Sequence, residues 1–171
     1  QTVMFPESVP AEKRFKLDDE DYGFLYQYLS QAPGETNYPK YDGKDFYPTY
    51  AKFLFRDSAR LEQSAGLRIF NKVGWAYGFL TDASYVVDFD NKVEFMLAAT
   101  VYVNEDGVLN DNKYDYEELG YPFLYQLGQL IYKHELSRER LFSPDLSRFK
   151  IRYERQREDG RPTIRESEVD N

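Results

Sequence analysis

The chain has 171 residues, 42% of them apolar and 30% charged, with a net charge of -8. That is enough chain for one domain with a buried core, and its acidity argues against a nucleic-acid backbone as partner, because phosphate binding needs a basic field. The absence of cysteine excludes disulfides, thiolate catalysis and cysteine-ligated metals, a lone histidine excludes a histidine-rich metal site, and no apolar run is long enough to span a membrane.

Gln1 to Pro6 is apolar and uncapped, without a basic leader or cleavage signal, and reads as the end of an element that begins earlier in a longer protein. Asp18 is a good N-cap for a helix running to about Ser30, with Asp21 at its third position and Phe24, Leu25, Tyr28 and Leu29 as its apolar stripe. Pro33-Gly34 ends it, and residues 34–48 form a loop rich in Pro, Gly, Asp and Tyr. A shorter helix is predicted from Tyr47 to Phe55, then a polar loop to Gly66.

The period then changes to that of strands. Residues 67–75, 84–89 and 93–103 read as three strands, with Asp90-Asn91 closing an antiparallel hairpin between the second and third. The third run is almost wholly apolar, which predicts a strand covered on both faces, either central in the sheet or lying under helices on each side. Asp115 and Glu118 have capping-box spacing, Pro122 suits a first helical turn, and Phe123, Leu124, Leu127, Leu130 and Ile131 carry a helix to about Glu135. Residues 137–171 are dominated by charge and read as an extended tail beyond a domain of residues 1–136. The fold class is α+β, an antiparallel sheet of at least three strands packed against helices.

Three motifs fail on their chemistry. In the loop Asn104 to Asn112, a calcium register with Gly107 at position six puts Tyr102 and Lys113 where carboxylates are required. His134 stands near a helix C-terminus, where its cation suits the dipole. Ser147 and Lys150 have S-x-x-K spacing but lie in the charged tail, where the lysine has no reason to lose its proton. No metal and no cofactor are expected. Asn71-Lys72-Val73-Gly74-Trp75 has two readings: an edge strand that receives a substrate, where the lysine supplies positive potential and Gly74 lets a ligand's backbone approach, or, as spacing alone favours, a surface lysine on an edge strand with a glycine bulge.

From Phe70 to Val86 the sequence resembles the K-T-G strand region of class A β-lactamases and related serine hydrolases, with Lys72, Gly74, Gly78 and Asp82 in the family's order. The strand 93–103 and the helix that follows resemble the family's last strand and C-terminal helix. The resemblance covers residues 1 to about 135 and implies the C-terminal half of a serine hydrolase of the divergent Bacteroides type, with a β-lactamase-like fold. It implies acyl-enzyme hydrolysis of an amide, peptide or ester, a small-molecule or peptide substrate, and a periplasmic or extracytoplasmic location. Lys72 then takes the role of the lysine that attracts the substrate carboxylate, and the backbone N–H of Trp75 that of an oxyanion donor. The resemblance also implies that Val73 and Gly74 line the substrate. Val73 replaces a Ser or Thr whose hydroxyl serves β-lactam and D-Ala-D-Ala-type substrates. The family's S-x-x-K nucleophile, S-D-N element and acidic base loop do not precede Lys72, so the chain alone is expected to be inactive and to self-associate through its uncovered core. The alternative is a non-enzymatic binding module built on Tyr38, Tyr41, Phe46, Tyr47 and Tyr50.

Overall fold

The computed structural model describes residues 1–36, 39–57, 66–151 and 153. Its centre is a three-stranded antiparallel sheet: β1 (Leu67–Ala76), β2 (Phe79–Asp88) and β3 (Val93–Tyr102), in spatial order β1-β2-β3. Both ladders run without a bulge over ten residue pairs, Leu67 opposite Asp88 at one end and Phe79 opposite Tyr102 at the other. Two helices flank it, α1 (Asp19–Ser30) and α2 (Tyr121–Ser137).

β2, not β3, is the central strand, and it starts at Phe79 rather than Ser84. A two-residue turn, Tyr77-Gly78, with φ of 52° and 88°, joins β1 to β2 tightly. Both positive φ values match the twist that hairpins prefer. Gly78 is required there on a second count, because a Cβ would lie 2.7 Å from Asn104 Cβ. The apolar run of β3 is therefore not a doubly covered strand: Met96, Ala98, Thr100 and Tyr102 are exposed in alternation.

Alternation divides the sheet into two faces. Ile69, Leu80 and Val86 point toward α2, where Leu124, Tyr121 and the buried turn Phe53–Phe55 complete one core. Phe70, Tyr85 and Val87 point the other way, toward Tyr26 of α1, Met4, Leu146 and Phe149. Phe149 has the rings of Phe5, Tyr26, Phe70 and Tyr85 around it at 4.9–6.1 Å between centroids. The first and last described segments thus meet in the second core. Arg148 bonds Met4 O and pairs with Glu7 at 2.9 Å. This corrects the reading of residues 146–149 as tail: two apolar side chains in charged surroundings suffice to dock the segment. Residues 154–171 lie outside the described residues.

The capping box at Asp18 and Asp21 forms, with reciprocal bonds of 3.0 and 3.1 Å. That predicted at Asp115 does not. Asp115 instead accepts from Glu105 N at 3.0 Å, and a π turn, Tyr116–Gly120, leads into α2. Pro122 sits in the first turn of α2 as expected. The helix predicted over 47–55 is replaced by turns and a single 3-10 turn, Phe53–Phe55. Pro48 has no N–H to give, and the N–H of Leu54 goes to Asp82 Oδ2 at 3.2 Å instead of to a helical carbonyl. α2 packs on this segment at Gly128, where a Cβ would come within 1.9 Å of Leu54 O.

Candidate functional site

The Lys72–Trp75 segment lies on β1, an edge strand. Phe89 N donates to Gly66 O, extending the β1–β2 ladder so that even-numbered residues of β1 face β2. Ile69, Asn71, Val73 and Trp75 therefore turn their backbone groups to the outer edge. The N–H of Trp75 points away from the sheet and has no partner among the described residues. Lys72 is exposed on the α1 face, and its Nζ donates to Val73 O at 2.6 Å. The side chain of Val73 turns inward against the α2-side core. Trp75, 51% exposed, leans on Phe53 at 5.8 Å between ring centroids. Gly74 is open, with nothing within 4 Å of where its Cβ would be. The segment thus offers an outward N–H, an open glycine and a cation, but the Lys72 and Trp75 side chains leave opposite faces.

The most polar part of the interior lies beside this segment, and sequence reading passed over it. Lys52 is 5% exposed. Its Nζ donates to Leu29 O at 2.8 Å, Ile69 O at 2.9 Å and Asn71 Oδ1 at 2.6 Å. Asn71 Nδ2 donates to Ala51 O and Asp82 Oδ1 at 2.8 and 2.9 Å. Asp82, fully buried, also accepts from Ser84 Oγ at 2.8 Å and from Leu54 N. Asn71 thus joins a buried cation to a buried carboxylate, using both ends of its amide. Burial lowers Lys52 to about 7 against the pull of Asp82 and Glu35. Burial also raises Asp82, opposed by its hydrogen bonds from Asn71, Ser84 and Leu54. Asp82 is thus mid-strand, not in the loop that its place in the motif implied. The sequence signal was a lysine inside the apolar run from Tyr50 to Phe55.

The tyrosines of the 41–50 loop mostly meet one another. Tyr41, Phe46, Tyr50 and Tyr47 follow ring to ring at 5.0, 5.1 and 5.9 Å. The guanidinium of Arg56 lies 5.1 Å from the ring of Tyr50 and 3.7 Å from that of Tyr121. Tyr38 lies outside the described residues. Ser147 and Lys150 are both exposed. In the 104–112 loop, Asp106 and Asp111 accept from the N–H two residues on, at 2.8 and 3.0 Å, as turn formers do. Among the described residues no cluster of three or more metal-ligating side chains occurs, and no helix is long and apolar enough to cross a membrane.

Beyond Lys72 the α1 face of the sheet is bare. Gly74, Ala76, Phe79, Ala83, Met96, Ala98, Thr100 and Tyr102 are exposed, and the rings of Phe79 and Tyr102 meet at a tilt with centroids 4.6 Å apart. The outer edge of β3 carries no backbone partner among the described residues. No known protein family, no curated protein and no solved structure matches this chain.

Proposed function

We propose that this chain forms the substrate-side half of a β-lactamase- or transpeptidase-like serine hydrolase. The observation that carries the reading is the position of Lys72, Gly74 and Trp75 on an edge strand, with the Trp75 N–H turned outward and without a partner among the described residues. The hairpin β2–β3 and the helix α2 behind that strand follow in the order the resemblance implies.

In this reading the substrate's acyl carbonyl lies along the outer edge of β1. The N–H of Trp75 donates to its oxygen as negative charge develops there, and such a donor is worth about 3–4 kcal/mol of transition-state stabilisation. Gly74 allows the close approach. Lys72 supplies the potential that draws an anionic substrate group, without the hydroxyl that Val73 lacks. A serine from the complementary part adds to the carbonyl carbon and loses its proton to a neighbouring base. The amine or alcohol then leaves, and water hydrolyses the acyl-enzyme. The bare half-face and the open β3 edge receive that complementary part. The tyrosine loop supports a binding-module reading less well, because its rings are engaged with one another and with Arg56.

The test is amide chemical-shift mapping with an N-acyl amino acid carboxylate as probe. Shifts centred on Gly74 and Trp75, lost in Lys72→Ala, are expected. Shifts elsewhere, or none, would overturn the reading. Turnover of a chromogenic β-lactam or simple ester by the chain alone, abolished by a serine-directed acylating agent, would also overturn it and would make Ser147 the residue to replace.

A further inference from the structure

We propose that Lys52 is a proton-controlled latch between α1 and β1: its ammonium ties the end of α1 to the strand's outer edge, and its neutral amine lets that end go. The latch stands on hydrogen-bond counting. An ammonium has three N–H groups, and here each has one acceptor: Leu29 O, Ile69 O and Asn71 Oδ1. A neutral amine has two N–H groups and a lone pair, so one acceptor must be released.

The geometry selects which. The bonds to Ile69 and Asn71 are buried, whereas that to Leu29 is only partly so. Asn71 cannot turn away without breaking its bonds to Ala51 O and Asp82. The Leu29 carbonyl can turn to water. It also has no helical alternative, because its i+4 residue is Pro33, which carries no N–H. Lys52 stands in for that missing donor. Charged groups act on it from three further elements: Asp82 on β2 and Glu35 in the turn after α1 favour the ammonium, and Arg68 on β1, itself paired with Glu35 at 2.7 Å, opposes it. Burial outweighs them and brings its proton loss down to about pH 7. The released form keeps its nitrogen buried and loses an acceptor, so it binds the proton more weakly and gains population as pH rises. None of this depends on the hydrolase reading.

The test uses the full chain with ¹³C-labelled lysine, followed by NMR from pH 6 to 9. Amide exchange at Gln31, whose N–H closes the last turn of α1 on Gln27 O, is read in parallel and corrected for the intrinsic pH dependence. Lys52 is expected to titrate ahead of the other lysines. Protection at Gln31 is expected to fall by about tenfold across the same midpoint. Lys52→Met should remove both that resonance and the pH dependence of protection. Should that variant not fold, Lys52→Arg, which keeps its charge throughout, supplies the assignment and holds protection at high pH. Lys52 titrating with the surface lysines, or Gln31 protection flat through its midpoint, would overturn the latch.

Discussion

The two outer edges of the sheet meet opposite fates. Along β1 the 51–54 segment closes the edge with polar groups: the Lys52 ammonium takes the Ile69 carbonyl, and Asn71 ties strand to segment. Along β3 the outward backbone of residues 94–102 meets nothing among the described residues, and the only charged side chain on the strand is Glu94. Natural edge strands are usually protected by charge, proline, bulges or a covering element. β1 has such a cover at residues 69–71, while further along the Trp75 N–H stays open among the described residues. β3 has no proline, no bulge and, past Glu94, no charge. The difference separates an edge covered over residues 69–71 from one that nothing among the described residues covers.

The closed edge should be the easier to break. Asp82→Ala would orphan three donors, on Leu54, Asn71 and Ser84, and remove the charge that favours the buried Lys52 ammonium. A loss of about 3–5 kcal/mol in urea unfolding is expected. A loss below about 1 kcal/mol would mean that the network does not hold this edge. Gly128→Ala tests the same closure from behind, since its Cβ would collide with the backbone of Leu54. It should cost about 3 kcal/mol, because backbone on both sides must shift.

The pH dependence of global stability sharpens the comparison. Lys52 binds its proton less well folded than unfolded, so its contribution to stability is fully present above the ordinary lysine range and is lost as pH falls through about 7. Stability should therefore rise from pH 7 to 9, by at most about 1.4 kcal/mol per pH unit. Lys52→Met should remove that slope. This is opposite in sign to the local loosening of α1, because global unfolding returns the amine to water whereas release of Leu29 keeps it buried.

Much of this fold was legible because its signals are local. The α1 cap at Asp18 and Asp21, the strand character of residues 67–75 and the start of α2 near Pro122 each follow from a few adjacent residues. The errors lie where long-range partners decide. The apolar content of β3 predicted a strand covered on both faces, yet Ala98 and Thr100 are small side chains on an open face. The run from Tyr47 to Phe55 looked helical until Asp82, far along the chain, claimed the Leu54 N–H. Leu146 and Phe149 were hidden among charges, and only the rings gathered from distant segments give them a core. At the candidate site, Lys72 and Gly74 were visible as a motif. The polar network of Lys52, Asn71 and Asp82 was not, because its members share no spacing that marks them as one unit.

The smallest effect on stability belongs to the open edge, and there the readout changes to association. Ala98 sits mid-strand on β3, exposed, with its backbone turned outward. Ala98→Lys places a charge in water without removing a contact from either core, so folding stability should change by no more than about 0.5 kcal/mol. Its effect on assembly should be large, since a lysine on an edge strand obstructs an incoming strand and its desolvation opposes burial of the bare face. Light scattering on the unmodified chain at micromolar concentration should therefore find species larger than a monomer, and Ala98→Lys should return them toward monomer with unfolding unchanged. The control is Lys72→Ala, on the same face but on β1, which removes a charge and should leave association at least as strong. A monodisperse monomer with cooperative unfolding in the unmodified chain would mean that these 171 residues close their own core. The open edge would then be tolerated without an occupant, and an independent binding module would become the better account of the chain.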